Sequence, residues 1–249
     1  MQFIKKIIKK RRNIFFIKII LNLIEHLKLK KEVFWYLNQY KKNGRYISDN
    51  GSDKWVIEKI FQKKKYGFFI ECGAYTGAKK SNTFILEKFY KWNGICIEPN
   101  PNYFKKLKLI RGCHCFNECI SGEEKIVDFL CYKTTGGIIS DYTDNKISKI
   151  NSLKMNSETY EIIKMKTKKL DQILDECEAP KTIDFLSLDV EGSETDIMIN
   201  FPFNKYIFLT MVIERPSGEL NKYFLKNGYE IINVKPKGDT FYVHKSLKN

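Results

Sequence analysis

The stretch Phe68-Phe69-Ile70-Glu71-Cys72-Gly73-Ala74-Tyr75-Thr76-Gly77 constrains the fold more than any other. An apolar run stopped by a glycine-rich turn reads as a buried parallel strand feeding a loop. Ser81, Asn82 or Thr83 is then placed to cap a helix carrying Phe84, Leu86 and Phe89. The glycines at 73 and 77 let backbone pass close under a ligand, where a Cβ would collide. Their Gly-x-x-x-Gly spacing differs from the dinucleotide Gly-x-Gly-x-x-Gly, and no Lys-Ser/Thr follows as in a phosphate loop. Glu71 at the strand end suits a cation, such as a sulfonium with an amino group, better than a pyrophosphate. The plainer alternative is a tight strand-to-helix turn without a ligand.

A second strand adds weight. Gly94-Ile95-Cys96-Ile97-Glu98-Pro99-Asn100-Pro101 is apolar, ends in an acid and is stopped by proline. Its distance from the first strand is that of a strand-helix-strand unit. Ligands of open α/β sheets bind at the carboxyl ends of adjacent strands, where an acid such as Glu98 can accept two hydrogen bonds from a ribose diol. A solvated glutamate at a strand end is the bland alternative.

With Glu71 to Gly77, Ser81-Asn82-Thr83, Leu86-Glu87-Lys88, Trp92-Asn93-Gly94 and Ile97 to Pro101, the chain resembles the FkbM family of S-adenosylmethionine-dependent methyltransferases. Leu186-Ser187-Leu188-Asp189-Val190-Glu191-Gly192-Ser193-Glu194 resembles that family's Asp-Val-Glu-Gly-x-Glu signature, and Ser48 to Asp53 its lead-in. Thr76 stands where relatives carry Asp. The resemblance covers Ser48 to the C-terminus. It implies S-adenosylmethionine as cofactor, held by Glu71, Gly73, Ala74, Tyr75, Gly77, Asn82, Glu98, Pro99 and Ser121, the last near the adenine. It also implies the class I methyltransferase fold, a Rossmann-like α/β architecture. That fold is a doubly wound, mostly parallel seven-stranded sheet with a C-terminal antiparallel hairpin.

The remaining pattern agrees with alternating strands and helices. A short basic helix is expected over Tyr103 to Ile110, a third strand over Cys113 to Ile120, and another over Lys125 to Tyr132. Gly136-Gly137 opens a long polar loop through about Thr159, the kind used as a lid or substrate loop. Strands at Lys164 to Lys168, Ile183 to Leu188 and Tyr206 to Glu214 follow, with a helix at Leu170 to Leu174. Ser217 is a helix cap, and Tyr229 to Val234 pairs with Thr240 to His244 around Lys237-Gly238-Asp239.

Asp189 and Glu191 fall at the end of a central strand and face the same crevice. They are the candidate bases for an oxygen acceptor, while Glu194 reads as a complement to a helix dipole. Asp189, Glu191 and Glu214 could cluster around a divalent metal, although nothing in the sequence requires one. The expected acceptor is a hydroxyl of a sugar, glycan or related small molecule. A non-catalytic membrane-associated interaction protein and an RNA 2′-hydroxyl methyltransferase are the alternatives.

The net charge of +15 makes nucleic acid, a membrane surface or an acidic glycan plausible partners, but general lysine enrichment explains it equally well. No Asn/Asp-Pro-Pro-Tyr occurs, which argues against nucleic-acid N-methylation, so a nucleic-acid partner is not expected. Seven cysteines form no disulfide framework and point to a reducing, cytoplasmic setting. Cys113-His114-Cys115 with Cys119 lacks zinc-knuckle spacing. Residues 1–45 form a separate basic extension, with a domain from 46 to 249. Lys5 to Arg12 is basic, and Ile14 to Ile24 is apolar but broken by Lys18 and Asn22. This is too short and too broken to span a bilayer; it reads as a basic amphipathic helix that packs on the domain or, through residues 1–35, lies on the inner face of a membrane.

Overall fold

The computed structural model describes residue 23, residues 25–234 and residues 238–247. The basic run, the apolar segment to Asn22 and Lys237 of the hairpin turn lie outside the described residues. The chain divides into two compact units, Met1–Arg45 and Tyr46–Asn249. In the first, residues 25–43 form helix α1, closed where Gly44 N donates to the Tyr40 carbonyl. No helix of the described residues is long and apolar enough to cross a membrane.

The second unit opens with a short helix, α2 (Ser52–Lys54), that continues as a π-helical turn, Trp55–Ile60. Asp53 ties this start down: its Oδ2 accepts from Ile47 N and Ser48 N. Asp53 thus anchors the segment that leads into the helix, while Gly51 stands at the N-cap position. There follow β1 (Phe68–Cys72), α3 (Phe84–Tyr90), β2 (Asn93–Ile97), α4 (Pro101–Ile110), β3 (His114–Phe116), β4 (Cys119–Ile120), β5 (Ile126–Cys131), β6 (Gly137–Ile138), α5 (Ile147–Met155), β7 (Glu161–Lys168), α6 (Leu170–Glu176), β8 (Thr182–Leu188), α7 (Glu194–Met198), β9 (Ile207–Ile213), α8 (Gly218–Lys226), β10 (Tyr229–Val234) and β11 (Thr240–His244).

Seven strands make one sheet in the order β10-β11-β9-β8-β1-β2-β3. All its pairs are parallel except those of β11, which runs antiparallel to β10 and β9. The order reverses direction at β1, so β1 and β8 bound the crevice where such sheets take ligands. Alternation gives the sheet two faces. One carries Ile70, Cys72, Ile95, Ile97, Leu186 and Leu188 against α6, α7 and α8, through Ile173, Leu174, Ile197, Leu220 and Phe224. The other carries Phe69, Glu71, Cys96 and Ser187, in register across β1, β2 and β8.

Two expectations need correction. The third strand is two: β3 stays in the main sheet, while β4 leaves it for a second sheet of order β4-β7-β5-β6. Glu98 N donates to the Phe116 carbonyl at the end of β3, and three residues later Cys119 already pairs with Thr167 of β7. The polar stretch after Gly136 is not structureless. It contains β6 and the nine-residue α5, whose Ile150 and Leu153 are buried. The sequence hides both because β6 is two residues long and α5 buries only two apolar side chains. The second sheet alternates cleanly in β5, exposing Ile126 and Asp128 and burying Val127 and Phe129. It packs a small core of its own, Cys119, Val127, Phe129, Cys131 and Ile138.

Candidate active site

A cleft opens where β1, β2 and β8 end, with the second sheet as its far wall. Of the expected residues, Glu71, Gly73, Ala74, Tyr75, Asn82, Glu98, Pro99, Asp189 and Glu191 line it together. Gly77 and Ser121 do not.

Glu98 sits at the end of β2, buried, its two oxygens accepting from Tyr75 N (2.7 Å) and Asn100 N (2.8 Å). Burial pushes its carboxyl up to about 7, against those two hydrogen bonds. Tyr75 holds a left-handed φ of 51°, and such strain concentrates at ligand clamps. Its ring meets the edge of Tyr103 with centroids 4.3 Å apart. Tyr103, Pro99, Cys119 and Ile120 give the slot beside Glu98 its apolar wall.

Glu71 turns inward. Its Oε1 accepts from Asn82 N (2.6 Å), and its Oε2 from Ser81 Oγ (2.8 Å), Thr83 Oγ1 (2.6 Å) and Arg111 Nη1 (3.2 Å). The expected cation for Glu71 is thus supplied from within, by Arg111. That guanidinium is fully enclosed; it also reaches the Gly77 carbonyl and Thr83 Oγ1, and its Nε donates to Glu87. Glu71 and Arg111 together set the shape of the loop from Gly73 to Thr83. Ser81 caps α3, its hydroxyl accepting from Thr83 N and Phe84 N. Asn82 spans the cleft floor, donating from Nδ2 to Ser187 Oγ (2.7 Å) on β8.

The two glycines differ from expectation. Gly77 (φ 86°) turns away from the cleft, and a Cβ there would press on Leu107 and Arg111. At Gly73 (φ 80°) a Cβ would fall 2.0 Å from the Asp189 carbonyl oxygen. Gly73 therefore lets β1 and β8 close together, so any larger residue there disturbs the fold as well as the ligand. Ser121 is likewise displaced: its hydroxyl donates to Asp196, and it lines a neighbouring cavity. Cys119 and Ile120, just before it, face the cleft instead.

The carboxyl end of β8 gathers acids. Asp189 opens to the cleft but is walled by protein elsewhere, and its carboxyl is held well above the usual range. Burial pushes in that direction first, then the charges of Glu214, Glu191 and Glu194. Because Asp189 touches cleft water, the neighbouring acids decide more than burial does. Burial and Glu214 raise Glu191 to about 7, while Arg215 and Lys149 pull it back. Glu191 stands at a left-handed φ of 60°. Glu194 lies under this turn; its Oε1 accepts from Val190 N (3.0 Å), so it braces the loop rather than merely facing a helix end. Burial raises it also to about 7.

Among the described residues the group able to hold a metal is Asp144, Glu191 and Glu214, with ligand atoms within 4.8 Å of one another. Asp144 stands where Asp189 was expected. Arg215 already answers these three charges: its Nη2 reaches Asp144, Glu214 (3.0 Å) and Glu191 (3.5 Å). Arg111, Asp144, Lys149 and Arg215 escape sequence reasoning because none belongs to a local motif, and because Arg111 meets Glu71 and Arg215 meets Asp144 across long stretches of chain.

Four acids, three at the cleft or its rim and Asp53 at the start of the domain, set a pH dependence. Glu98, Glu191 and Glu194 rise from an ordinary 4.5 to about 7, and burial takes Asp53 from 3.8 to about 6. Each binds its proton more tightly folded than unfolded. The stability they lend is therefore complete below their ordinary values and is lost as pH rises toward 7. Denaturant midpoints should fall between pH 5 and pH 8, with a shallower fall in Glu98→Gln. An equal slope in that variant would remove Glu98 from the explanation.

The sequence matches the methyltransferase FkbM domain over residues 71–231. No curated protein sequence matches the chain. Among solved structures, the chain is similar to a TehB-like SAM-dependent methyltransferase of Corynebacterium glutamicum (9% identity, 88% of this chain and 99% of that one, TM-score 0.39). It is similar also to Aeropyrum pernix fibrillarin with natively bound S-adenosyl-L-methionine (10% identity, 79% and 74%, TM-score 0.43). These likenesses are distant, and the fold rests on the strand order itself. The cleft fits the cofactor by its own chemistry: Glu98 can accept a diol's two hydroxyl hydrogens, the Tyr103-Pro99-Ile120 wall can take a flat base, and the Asn82 amide oxygen and Asp189 suit an ammonium. With the domain match spanning well over half of its 249 residues, the chain belongs to the FkbM family of S-adenosylmethionine-dependent methyltransferases.

Proposed function

We propose that the protein methylates a hydroxyl oxygen of a sugar, glycan or related polyol. The observation carrying this is the group of acids at the end of β8: Asp189, Glu191, Glu214 and Asp144, with Arg215 and Lys149 as the near cations. Such a site repels anionic acceptors and offers carboxylate oxygens to hydroxyl hydrogens. The cofactor supplies an electrophilic methyl carbon on a sulfonium. A hydroxyl is a poor nucleophile until a base takes its proton, and a base is most effective when it titrates near working pH. Glu191, at about 7, meets that condition. Asp189 does so once a cation nearby stabilises its charged form.

Room for a larger acceptor exists beside the cleft. A second, open cavity shares Ile138 and Ser193 with it and is lined by Ser140, Thr143, Thr195, Ser217 and the exposed Tyr142. Hydroxyls beside an accessible ring suit a sugar, which presents both polar edges and an apolar face. An acceptor panel of neutral sugars, acidic glycans and RNA, read by demethylated cofactor produced, tests the proposal. Turnover on neutral polyols is expected. Turnover on RNA alone, or on none with cofactor bound, would overturn it.

The N-terminal unit supports a membrane-surface location. Leu23, Leu27, Phe34 and Trp35 of α1 and its approach are exposed beside many lysines. A chain starting at Asn43 should keep cofactor binding and lose association with anionic liposomes at low salt. Equal association by the shortened chain would rule the surface role out.

A further inference from the structure

The motif Cys113-His114-Cys115 takes no part in the cleft, yet it packs behind it. Cys96 of β2 pairs in register with Cys115 of β3, and Glu71 of β1 with Cys96. Cys96, Cys115 and, two residues earlier, Cys113 therefore share the sheet face that carries Glu71. The Cys96 and Cys113 sulfurs lie 3.6 Å apart. Cys96 is fully buried, while Cys113 is only partly buried, next to the exposed Gly112. Cys96 Sγ is also 3.9 Å from Glu71 Oε2. Cys113 follows Arg111 by two residues, so the same short turn carries the buried guanidinium that holds the Gly77 carbonyl and Thr83.

We propose that Cys113 is a peroxide-reactive thiol that closes a reversible disulfide onto Cys96, and that closure loosens the Arg111–Glu71 hold on the cofactor loop. The Cys113 thiolate attacks one oxygen of hydrogen peroxide, breaks the O–O bond and becomes a sulfenic acid, releasing hydroxide. Cys96 sulfur then attacks the Cys113 sulfur; the S–O bond breaks, and the departing hydroxyl takes the Cys96 proton as water. Two thiols lose two electrons, and one peroxide is reduced to two waters. The environment favours this order. The side chains of Cys115 and Cys96, with the charge of Arg111, hold the Cys113 thiol well below its ordinary range. Burial holds Cys96 above it. The less buried cysteine is thus the nucleophile, and the fully buried one resolves it.

Bond formation shortens the sulfur separation from 3.6 Å to about 2.05 Å. β2 lies inside the sheet and cannot yield, so the movement falls on the turn from Arg111 to Cys113. Arg111 is held there by hydrogen bonds whose geometry tolerates little displacement.

The test treats the full chain with stoichiometric hydrogen peroxide and maps peptides without reductant. A Cys96–Cys113 cross-link reversed by dithiothreitol is expected. C96S should leave a sulfenic acid at Cys113 that dimedone traps, and C113S should form neither product. Oxidised wild type should bind S-adenosylmethionine at least about fivefold more weakly, the lower end of coupling between linked sites, while C113S should not respond. A cross-link between Cys113 and Cys115, or oxidation that spares Cys113, would overturn the assignment. Unchanged affinity in the fully cross-linked protein would overturn the coupling. Binding by the reduced protein, measured first, keeps both outcomes separate from a failure of the methyltransferase assignment.

Discussion

Arg111→Met should unfold the domain more readily than any other single change outside the apolar core. The guanidinium is wholly enclosed and answers two carboxylates, Glu71 and Glu87, with three further oxygens at Gly77, Ser81 and Thr83. Methionine fills much of the same volume but pairs with none of them. Removing one partner from a buried ion pair costs about 3–5 kcal/mol, because the remaining charge stays desolvated. In a domain of this size that lowers the melting temperature by about 10 °C. Arg111→Lys should recover only part of it, since an ammonium cannot reach Glu71, Glu87 and Thr83 from one plane. The surviving folded protein should also bind cofactor poorly, as the loop from Gly73 to Thr83 loses its anchor. A melting temperature within a degree or two of wild type would show that Glu71 takes its charge balance from elsewhere.

Asp189→Asn should abolish most turnover while leaving the fold intact. The side chain opens to the cleft, and its backbone carbonyl, which packs against Gly73, is untouched. Asparagine keeps the shape and removes the charge. Burial, with the charges of Glu214 and Glu191, holds the Asp189 carboxyl well above the usual range, so the charged form gains population as pH rises, and wild-type rate should rise with it. If Asp189 takes the acceptor proton, the rate falls by about two to four orders of magnitude, the usual share of general base catalysis, with little change in cofactor affinity. If it holds the cofactor's ammonium, affinity falls as well. Glu191→Gln separates the two residues. Full rate in Asp189→Asn beside a dead Glu191→Gln would make Glu191 the base, and full rate in both would leave the end of β8 without a catalytic role.

The strands that build the crevice were readable because they are apolar runs ended by an acid and a glycine or proline. Phe68 to Cys72, Asn93 to Ile97 and Thr182 to Leu188 all declare themselves this way. So does the terminal hairpin, with its alternation around a glycine turn. The second sheet was only half visible. β5 alternates plainly, but β4 and β6 are two residues each and exist only because β7 and β5 lie beside them. At the site, most residues read from strand ends came together in one cleft, whereas two assigned to the cofactor did not. Ser121 turned to Asp196, and Gly77 turned to Leu107 and Arg111. Arg111 and Arg215 gave no local sign, since a lone arginine after a helix or a strand has no pattern that names its partners. The partners lie up to 71 residues away in sequence.

The central claim is that the cleft at the ends of β1, β2 and β8 holds S-adenosylmethionine, with Glu98 at its ribose. Calorimetric titration of the reduced, full-length protein tests it most directly. One molecule should bind per chain, more tightly at pH 8 than at pH 6 as Glu98 ionises through about 7. Glu98→Ala should weaken binding by at least about tenfold, the cost of losing a charged hydrogen-bond acceptor, with the fold preserved. Folded wild type that binds no cofactor, or a Glu98→Ala variant with unchanged affinity, would contradict the account.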